Sequence, residues 1–534
     1  MRWTTLVALV AVVLLGGGGG GAAHAAAPPT EFGTDWDDPR TAGPPVAVPP
    51  THSCTVRIVD HQFVNFDVYT NAYMPPADCA GPWAKVVLRM SGAVAGRQFD
   101  RLGWLEIGGV TVLKTSTPEP SPVGIRWSVE KDVTGYAPVL RAPAQVSMFL
   151  GNIVNETFTG VLDIQVDLTF YVADRPHPAP ASASDVVPLP DLRDAASTAP
   201  VTLPRNAERL VAEVYATGSG GGCEEFWYLT APPASGYSCP ADQGPYREVQ
   251  VLLDGQVAGI AVPFPHVYTG GWSNPFLWYV LPAPRAFNVA PLSYDLTPYL
   301  GRLTDGAPHT VAVRVVGVPA GQPGWDTPVN LLAWRDPKAT QVTGTVLADH
   351  LDALRNDSTF SVVDGMNQVL TTAAHHLAAV GMLHTSHGIV TTAVDERLSN
   401  DSTHRFGAEP GENPDNLTAE WTDTATVATA GKVTRAALRY AIDGGITVSA
   451  DNRLTTTITM TDAADTAAAG RDGFQFRRLD DTYSGTASYT LGVPREQRHA
   501  TGTSRERYRL TGDTCFDHTI ETANGFVTSD VRRC

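Results

Sequence analysis

The sequence predicts an all-β protein: two consecutive jelly-roll-like antiparallel β-sandwich domains, followed by a further β-rich C-terminal domain. Three observations lead there. Leu162, Ile164, Val166, Leu168 and Phe170 alternate with Asp163, Gln165, Asp167 and Thr169, the period-two pattern of a half-buried antiparallel strand. Between Cys54 and Tyr171 the apolar stretches are short, broken by Gly, Pro and Asn, and carry no helical period. From Thr340 onward the text is threonine-rich and aromatic-poor, with Asp-Gly and Gly-Gly turn signals. Short strands punctuated by turns fit sandwiches and jelly rolls, whose sheets close on themselves to limit free edges.

The elements follow in chain order. Residues 1–26 have a basic start, an apolar Leu6–Leu15 core and the small-residue exit Ala23-His24-Ala25; this is a secretory signal peptide, so the protein is expected to be secreted and extracellular. Residues 27–180 form the first sandwich, with Pro28 to Pro50 as irregular chain and Lys85–Met90 and Val146–Leu150 as further strands. Residues 181–205 belong to a stretch rich in Pro, Ala, Ser and Asp and read as a linker. Residues 206–337 form the second jelly roll, with strands at Arg209–Tyr215, Glu248–Leu253 and Thr310–Val316 and a glycine-rich loop at Gly218 to Gly222. Residues 340–534 form the third domain, with strands such as Ile446–Val448 and Thr455–Met460. Leu370–Met382 is the one place where a helix is arguable, though its His and Thr content weakens it.

Composition narrows the function. With 534 residues and 43% hydrophobic content, the chain has material for two to four globular domains, each with its own core. A net charge of −17 argues against nucleic acid, which demands a basic surface. No apolar run after the first thirty residues is long enough to cross a membrane. The six cysteines allow about fifteen connectivities; sequence locality favours Cys54 with Cys79, Cys223 with Cys239, and Cys515 with Cys534, as export would permit. No C-x-x-C, H-E-x-x-H, G-x-S-x-G, P-loop or Rossmann fingerprint is present. No metal or cofactor is expected, and the chain is read as a monomer. His375, His376, His384 and His387 cluster without ligand spacing and read as structural or solvated. Asn155, Asn356, Asn400 and Asn416 open N-x-Ser/Thr sequons, read as chance in a bacterial product and as surface loops in a eukaryotic one.

The stretch with most chemistry is Val94-Ala95-Gly96-Arg97-Gln98-Phe99-Asp100-Arg101-Leu102. As extended chain it places Asp100 on one face with Gln98 and Leu102, and Arg101 on the other. A carboxylate beside two guanidinium groups is expected to stay ionised at low pH, which suits a base that activates water. A structural Asp–Arg pair at a strand end is the competing reading.

Around it, Cys54 to Tyr171 resembles the N-terminal part of the peptide N-glycosidase A family, amidases that remove N-glycans from asparagine. The resemblance runs through Asn71-Ala72-Tyr73-Met74-Pro75-Pro76-Ala77-Asp78-Cys79, Gly96-Arg97-Gln98-Phe99-Asp100-Arg101, Thr115-Ser116-Thr117-Pro118-Glu119-Pro120, Trp127-Ser128-Val129-Glu130-Lys131-Asp132 and Leu150-Gly151-Asn152. It implies an amidase acting on N-linked glycopeptides or glycoproteins. Flavobacterial enzymes of this activity carry an aspartate in an aromatic-Asp-Arg motif and a glutamate in a Gly-Cys-x-Glu-aromatic motif. The patterns fall on Asp100 and on Glu225 of Gly220-Gly221-Gly222-Cys223-Glu224-Glu225-Phe226-Trp227-Tyr228. On a strand only one of Glu224 and Glu225 can face a given cleft. A further glutamate of those enzymes matches Asn152 here, with Glu156 four residues on, which leaves the third acidic role open. Arg101 is expected to bind sugar or hold Asp100, and Trp227, Trp272 and Trp278 are candidate sugar-stacking faces, with core packing the odds-on role for at least one. A sugar-binding sandwich without turnover and a glycoside hydrolase using Asp100 and Glu225 remain as alternatives.

Overall fold

The computed structural model describes residues 35–534 except 190–191, 221, 273–275, 409–411, 472, 495–496 and 513; the expected signal peptide lies outside the described residues. In the first sandwich, Ser53–Phe63, Leu162–Val172, Trp83–Val94 and Ile125–Asp132 lie side by side in that order. Tyr69–Tyr73, Ala144–Leu150, Leu102–Ile107 and Val110–Ser116 make the opposing sheet. All pairings are antiparallel. Counted along the chain, the strand orders 1-8-3-6 and 2-7-4-5 are those of a jelly roll. The alternation seen in the sequence builds the core directly. Leu162, Ile164, Val166, Leu168 and Phe170 are all fully buried, each contributing roughly 1.5–3 kcal/mol of apolar transfer.

The second sandwich repeats the same order. Ala196–Val201, His309–Val316, Glu248–Leu253 and Gln256–Ala261 form one sheet; Leu292–Asp295, Ala207–Val214, Val329–Arg335 and Asp185–Leu189 form the other. The segment expected to be a linker therefore supplies two of its eight strands, Asp185–Leu189 and Ala196–Val201. Both are edge strands, and edges tolerate Pro188 and Pro200 because the missing N–H is not needed on the outer side. The prolines that suggested a linker are what blunts these edges against further pairing.

The two sandwiches meet along Val110–Ser116, the edge strand of its sheet and buried throughout. Ser116 N–H donates to Ala286 O at 3.0 Å and Val289 N–H to Lys114 O at 3.0 Å, so a loop of the second sandwich completes this edge. Thr111 N–H and O bond the Asn330 amide at 3.1 and 2.8 Å. The Lys114 ammonium, fully buried, donates to Tyr215 O and Asp326 O and pairs with the Asp326 carboxylate at 2.7 Å.

The C-terminal region is one open, antiparallel, eleven-stranded sheet from Thr343–Leu351 to Phe526–Arg532. Its strands are long, not short: Met366–Thr385, Gly388–Phe406, Lys432–Val448, Arg453–Gly470 and Gly473–Thr490 among them. The arguable helix at Leu370–Met382 lies inside the first of these, where burial alternates residue by residue. Val369, Thr371, Ala373, His375, Leu377 and Ala379 point inward, a period of two that His and Thr disguise in the sequence. Among the described residues this sheet has no separate core. Trp421, Tyr440, Ile442, Ile458, Met460 and Tyr483 join one cluster with the second sandwich's Trp227, Trp278, Ile260 and Leu281.

Candidate active site

The described residues 262–272 and 276–289, between two strands of the second sandwich, organise the site. This loop leaves the strand Gln256–Ala261 of the second sandwich and reaches across to the first. There the Thr269 hydroxyl donates to Thr117 O at 2.9 Å. A methyl group placed on the next residue, Gly270, would stand 2.6 Å from Asp100 Oδ1 and 3.2 Å from Glu119 Oε1. Only a bare Cα fits between these two carboxylates.

Asp100 lies in the loop leading into the strand Leu102–Ile107 and keeps part of its surface accessible. Its surroundings overturn the expected acid-stable carboxylate. Burial pushes the Asp100 pKa up, with the Gly270 backbone N–H and the Arg101 charge pulling only partly back. The two arginines are otherwise engaged. Arg97 stands 5.6 Å over the Phe158 ring. Arg101 Nη2 donates to Gln98 Oε1 at 2.6 Å, and its backbone exchanges hydrogen bonds with Thr117. Its Nε is buried without a partner. Burial lowers the Arg101 pKa, with Asp100 and Glu119 opposing. Arg101 thus sits between two carboxylates as a shared counter-charge.

Glu225 lies on the 3-10 segment Cys223–Leu229, not on a strand. The tight turn still separates the neighbouring carboxylates. Glu224 is fully buried, holding Arg247 through two bonds of 2.9 and 2.7 Å and accepting Trp325 Nε1–H at 2.6 Å. Glu225 is partly exposed. The Cys223–Cys239 disulfide anchors the start of this segment, and Cys54–Cys79 and Cys515–Cys534 are bonded as well. Tyr268 connects the two halves of the site. Burial raises its pKa, and the charges of Glu225 and, more weakly, Asp100 add to that effect. Its hydroxyl donates to Gly218 O at 3.2 Å.

The structure brings Asp100, Arg101 and Glu225 to the junction of the sandwiches, but it places the other expected ligands elsewhere. Asn152 is fully buried; its amide donates to Phe63 O and Gly160 O, and its oxygen accepts Ile153 N–H. It clamps a loop and has no face for a sugar. Trp227, Trp272 and Trp278 are at most 5% exposed and pack in the core. Trp227 meets Trp421 edge-on at 5.3 Å and Trp278 meets Tyr483 at 4.6 Å. The carboxylate that the structure sets beside Asp100 across Gly270 is Glu119, on the segment after Val110–Ser116. Its signal was a carboxylate between two prolines, Pro118 and Pro120. The histidines do not converge, as alternation on one strand requires. His375 turns inward to Glu248 and His376 outward to Asp395.

The fold and this junction define an all-β, double-jelly-roll protein in which partly accessible carboxylates of both sandwiches lie near the loop that bears Tyr268 and Gly270. The chain belongs to the family described as peptide N-acetyl-beta-D-glucosaminyl asparaginase amidase A, whose model matches residues 44–350. It is 32% identical over 383 residues to the peptide-N4-(N-acetyl-beta-glucosaminyl)asparagine amidase A of Prunus dulcis, covering 65% of this chain and 66% of that protein. Among solved structures, N-glycanase F resembles it at 13% identity and a TM-score of 0.37, covering 53% of this chain and 96% of the other. PNGF-II resembles it at 14% identity and a TM-score of 0.37, covering 53% and 65%.

Proposed function

We propose that this protein is a peptide N-glycosidase, hydrolysing the side-chain amide that joins asparagine to N-acetylglucosamine in N-linked glycopeptides and glycoproteins. The observation that carries this reading is the meeting of Asp100 and Glu119 across Gly270, with Glu225 sharing Tyr268 on the far side of the same loop. Membership in the amidase A family supports it.

In this reading Asp100 takes a proton from water as the water oxygen adds to the amide carbon. The tetrahedral adduct then collapses, breaking the C–N bond. The proton held by Asp100 passes to the departing nitrogen, so the carboxylate is regenerated. The products are an aspartate-containing peptide and a 1-amino-glycan, which loses ammonia in water. A base with a raised pKa accepts the proton more readily than an ordinary aspartate, provided the pH leaves it ionised. Glu225 and Glu119 are assigned to the charge that develops at the departing amine, and Arg101 offsets the repulsion between Asp100 and Glu119. Three disulfides and the signal-like N-terminal sequence support an exported protein working outside the cell.

The test is mass spectrometry of a defined glycopeptide after incubation. Aspartate at the former glycosylation site is the expected product. A peptide still bearing one N-acetylglucosamine would mean cleavage between sugars, and the amidase reading would be wrong.

A further inference from the structure

The family match ends at residue 350, yet the C-terminal sheet beyond it grips the loop that bears Gly270. Among the described residues of this loop, three non-glycines adopt positive φ: Trp272 at 51°, Phe276 at 63° and Arg285 at 62°. Bulky side chains seldom take this conformation, and they hold it only where their surroundings over-determine it. Each of the three packs against the C-terminal region, and Arg285 is bonded to it. A methyl group on Gly444 would lie 3.1 Å from Trp272 Cζ3, and one on Gly525 would lie 3.3 Å from Phe276 Cδ1. The Arg285 fork is held by both Asp462 oxygens at 2.5 and 2.8 Å, between the rings of Phe264 and Tyr440.

The same residues point back to the site. Trp272 follows Gly270 by two positions, and its indole N–H lies 3.3 Å from the Tyr228 hydroxyl. Tyr228 belongs to the 3-10 segment that carries Glu225. Trp278 N–H donates to Gly271 O at 3.0 Å, and the Tyr483 hydroxyl donates to Leu277 O at 2.5 Å. Next to Arg285, Ala286 O and the Val289 N–H complete the edge of the first sandwich. The loop is therefore pinned to the sheet on one side and to the carboxylates on the other.

We propose that the C-terminal sheet is part of the catalytic unit: through Asp462–Arg285 and Gly444–Trp272 it holds the strained loop that sets Gly270 against Asp100, making Asp462, Arg285 and Trp272 positioning residues. This rests on the amidase reading of the same site. A loop released from the sheet relaxes away from its positive-φ geometry and lets Gly270 withdraw from Asp100. A shift of the order of 1 Å at a reacting centre costs up to about 10²-fold.

The test compares Asp462→Asn, Asp462→Glu and Asp100→Asn in the full chain, with a defined glycopeptide as substrate. For Asp462→Asn, kcat should fall at least about 10-fold while KM moves less than about 3-fold, a split expected of lost positioning, not lost binding. Deuterium uptake across residues 264–272 should rise, and Asp462→Glu should recover part of kcat. A folded Asp462→Asn protein with wild-type kcat overturns the proposal, whatever its uptake. So does a loss of activity matched by an equal loss of folded protein. Should Asp462→Asn fail to fold, Trp272→Phe decides: it retains a ring against Gly444 and removes the indole N–H, and an unchanged kcat refutes the tie to the Glu225 segment. Asp100→Asn separates the two readings. If it is inactive while Asp462→Asn is fully active, only the clamp fails; if it is active, the site assignment itself fails.

Discussion

Glu224 and Glu225 are neighbours in sequence with opposite fates, and Glu224→Gln exposes the difference. The change keeps the shape of the side chain and removes its charge. Arg247 then stays fully buried with two backbone carbonyls, Gly244 O and Tyr246 O, both at 3.0 Å, and no counter-charge. Breaking one partner of a fully buried pair costs about 3–5 kcal/mol, because the remaining ion is uncompensated. The second sandwich shares its core with the C-terminal sheet, so both unfold as a large unit. Such a unit moves less than the ~2–4 °C per kcal/mol of 150–250-residue proteins, and the expected drop in Tm is roughly 5–10 °C. Differential scanning calorimetry at neutral pH measures it, with turnover recorded below the transition. Because Glu225 follows directly, kcat should fall more than KM rises. Glu224→Met combined with Arg247→Leu should recover much of the Tm, since apolar groups of similar volume commonly replace a buried ion pair without loss. A single variant melting within 2 °C of wild type (about 1 kcal/mol on that scale), or a double variant no better than the single one, would refute the reasoning.

Asp100→Asn should abolish turnover by at least the ~10²–10⁴-fold of a lost general base. Its Tm should hold or rise at neutral pH, because a carboxylate whose pKa is raised in the folded state favours folding only when protonated; a fall would restore the structural Asp–Arg reading. The acid limb of kcat/KM should lie above the ordinary aspartate range and vanish in that variant. Glu396 and Asp423, pushed up by burial to about 8 and about 7, accept backbone N–H groups of Ile260 and Val262 from the second sandwich. Both bind more protons folded than unfolded between their ordinary values and these, so Tm should fall as pH rises from about 4 to 8. Glu396→Gln should flatten that slope; an identical pH–Tm curve would refute its burial as a protonated acid with a raised pKa. Trp227→Ala should cost about 3–5 kcal/mol of stability, measured by urea unfolding, instead of selectively weakening glycopeptide binding in calorimetric titration.

Much of the fold was legible because alternation survives wherever one face is buried. Leu162–Phe170 announced its strand, and Glu248–Leu253 was placed to the residue. The errors have physical causes. Pro188 and Pro200 imitate a linker, since an edge strand needs only half of its hydrogen bonds. His375 and Thr371 point inward in a strand whose inner face is partly polar, so hydropathy hides the period. The C-terminal sheet reads as a domain because each of its strands is amphipathic. That its apolar face is buried by the second sandwich depends on both partners, and neither segment alone reveals it.

The site was legible as residue types and not as environment. Asp100 and Glu225 stand out because the chemistry needs carboxylates at those motifs, whereas Trp227, Trp272 and Trp278 stand out only because tryptophan can stack on sugars. Large rings bury by default, and these three do. The direction of the Asp100 pKa shift is the more instructive difference. Two arginines flanking it in sequence suggested a depressed pKa, but adjacent residues in extended chain point apart, and the guanidinium groups found Gln98 and Phe158. What governs Asp100 is its enclosure, with Gly270 of a distant segment packed against its carboxylate while the Gly270 N–H itself pulls the pKa partly back. Desolvation acts on every atom of the carboxylate, while a single counter-charge acts along one direction, so enclosure wins where geometry splits the pair. A raised pKa gives a better proton acceptor when ionised and a less acid-tolerant one. In the amidase reading a glycine is therefore the residue that lets the loop approach Asp100 this closely, and in the clamp proposed above the sheet that holds this glycine is part of the mechanism.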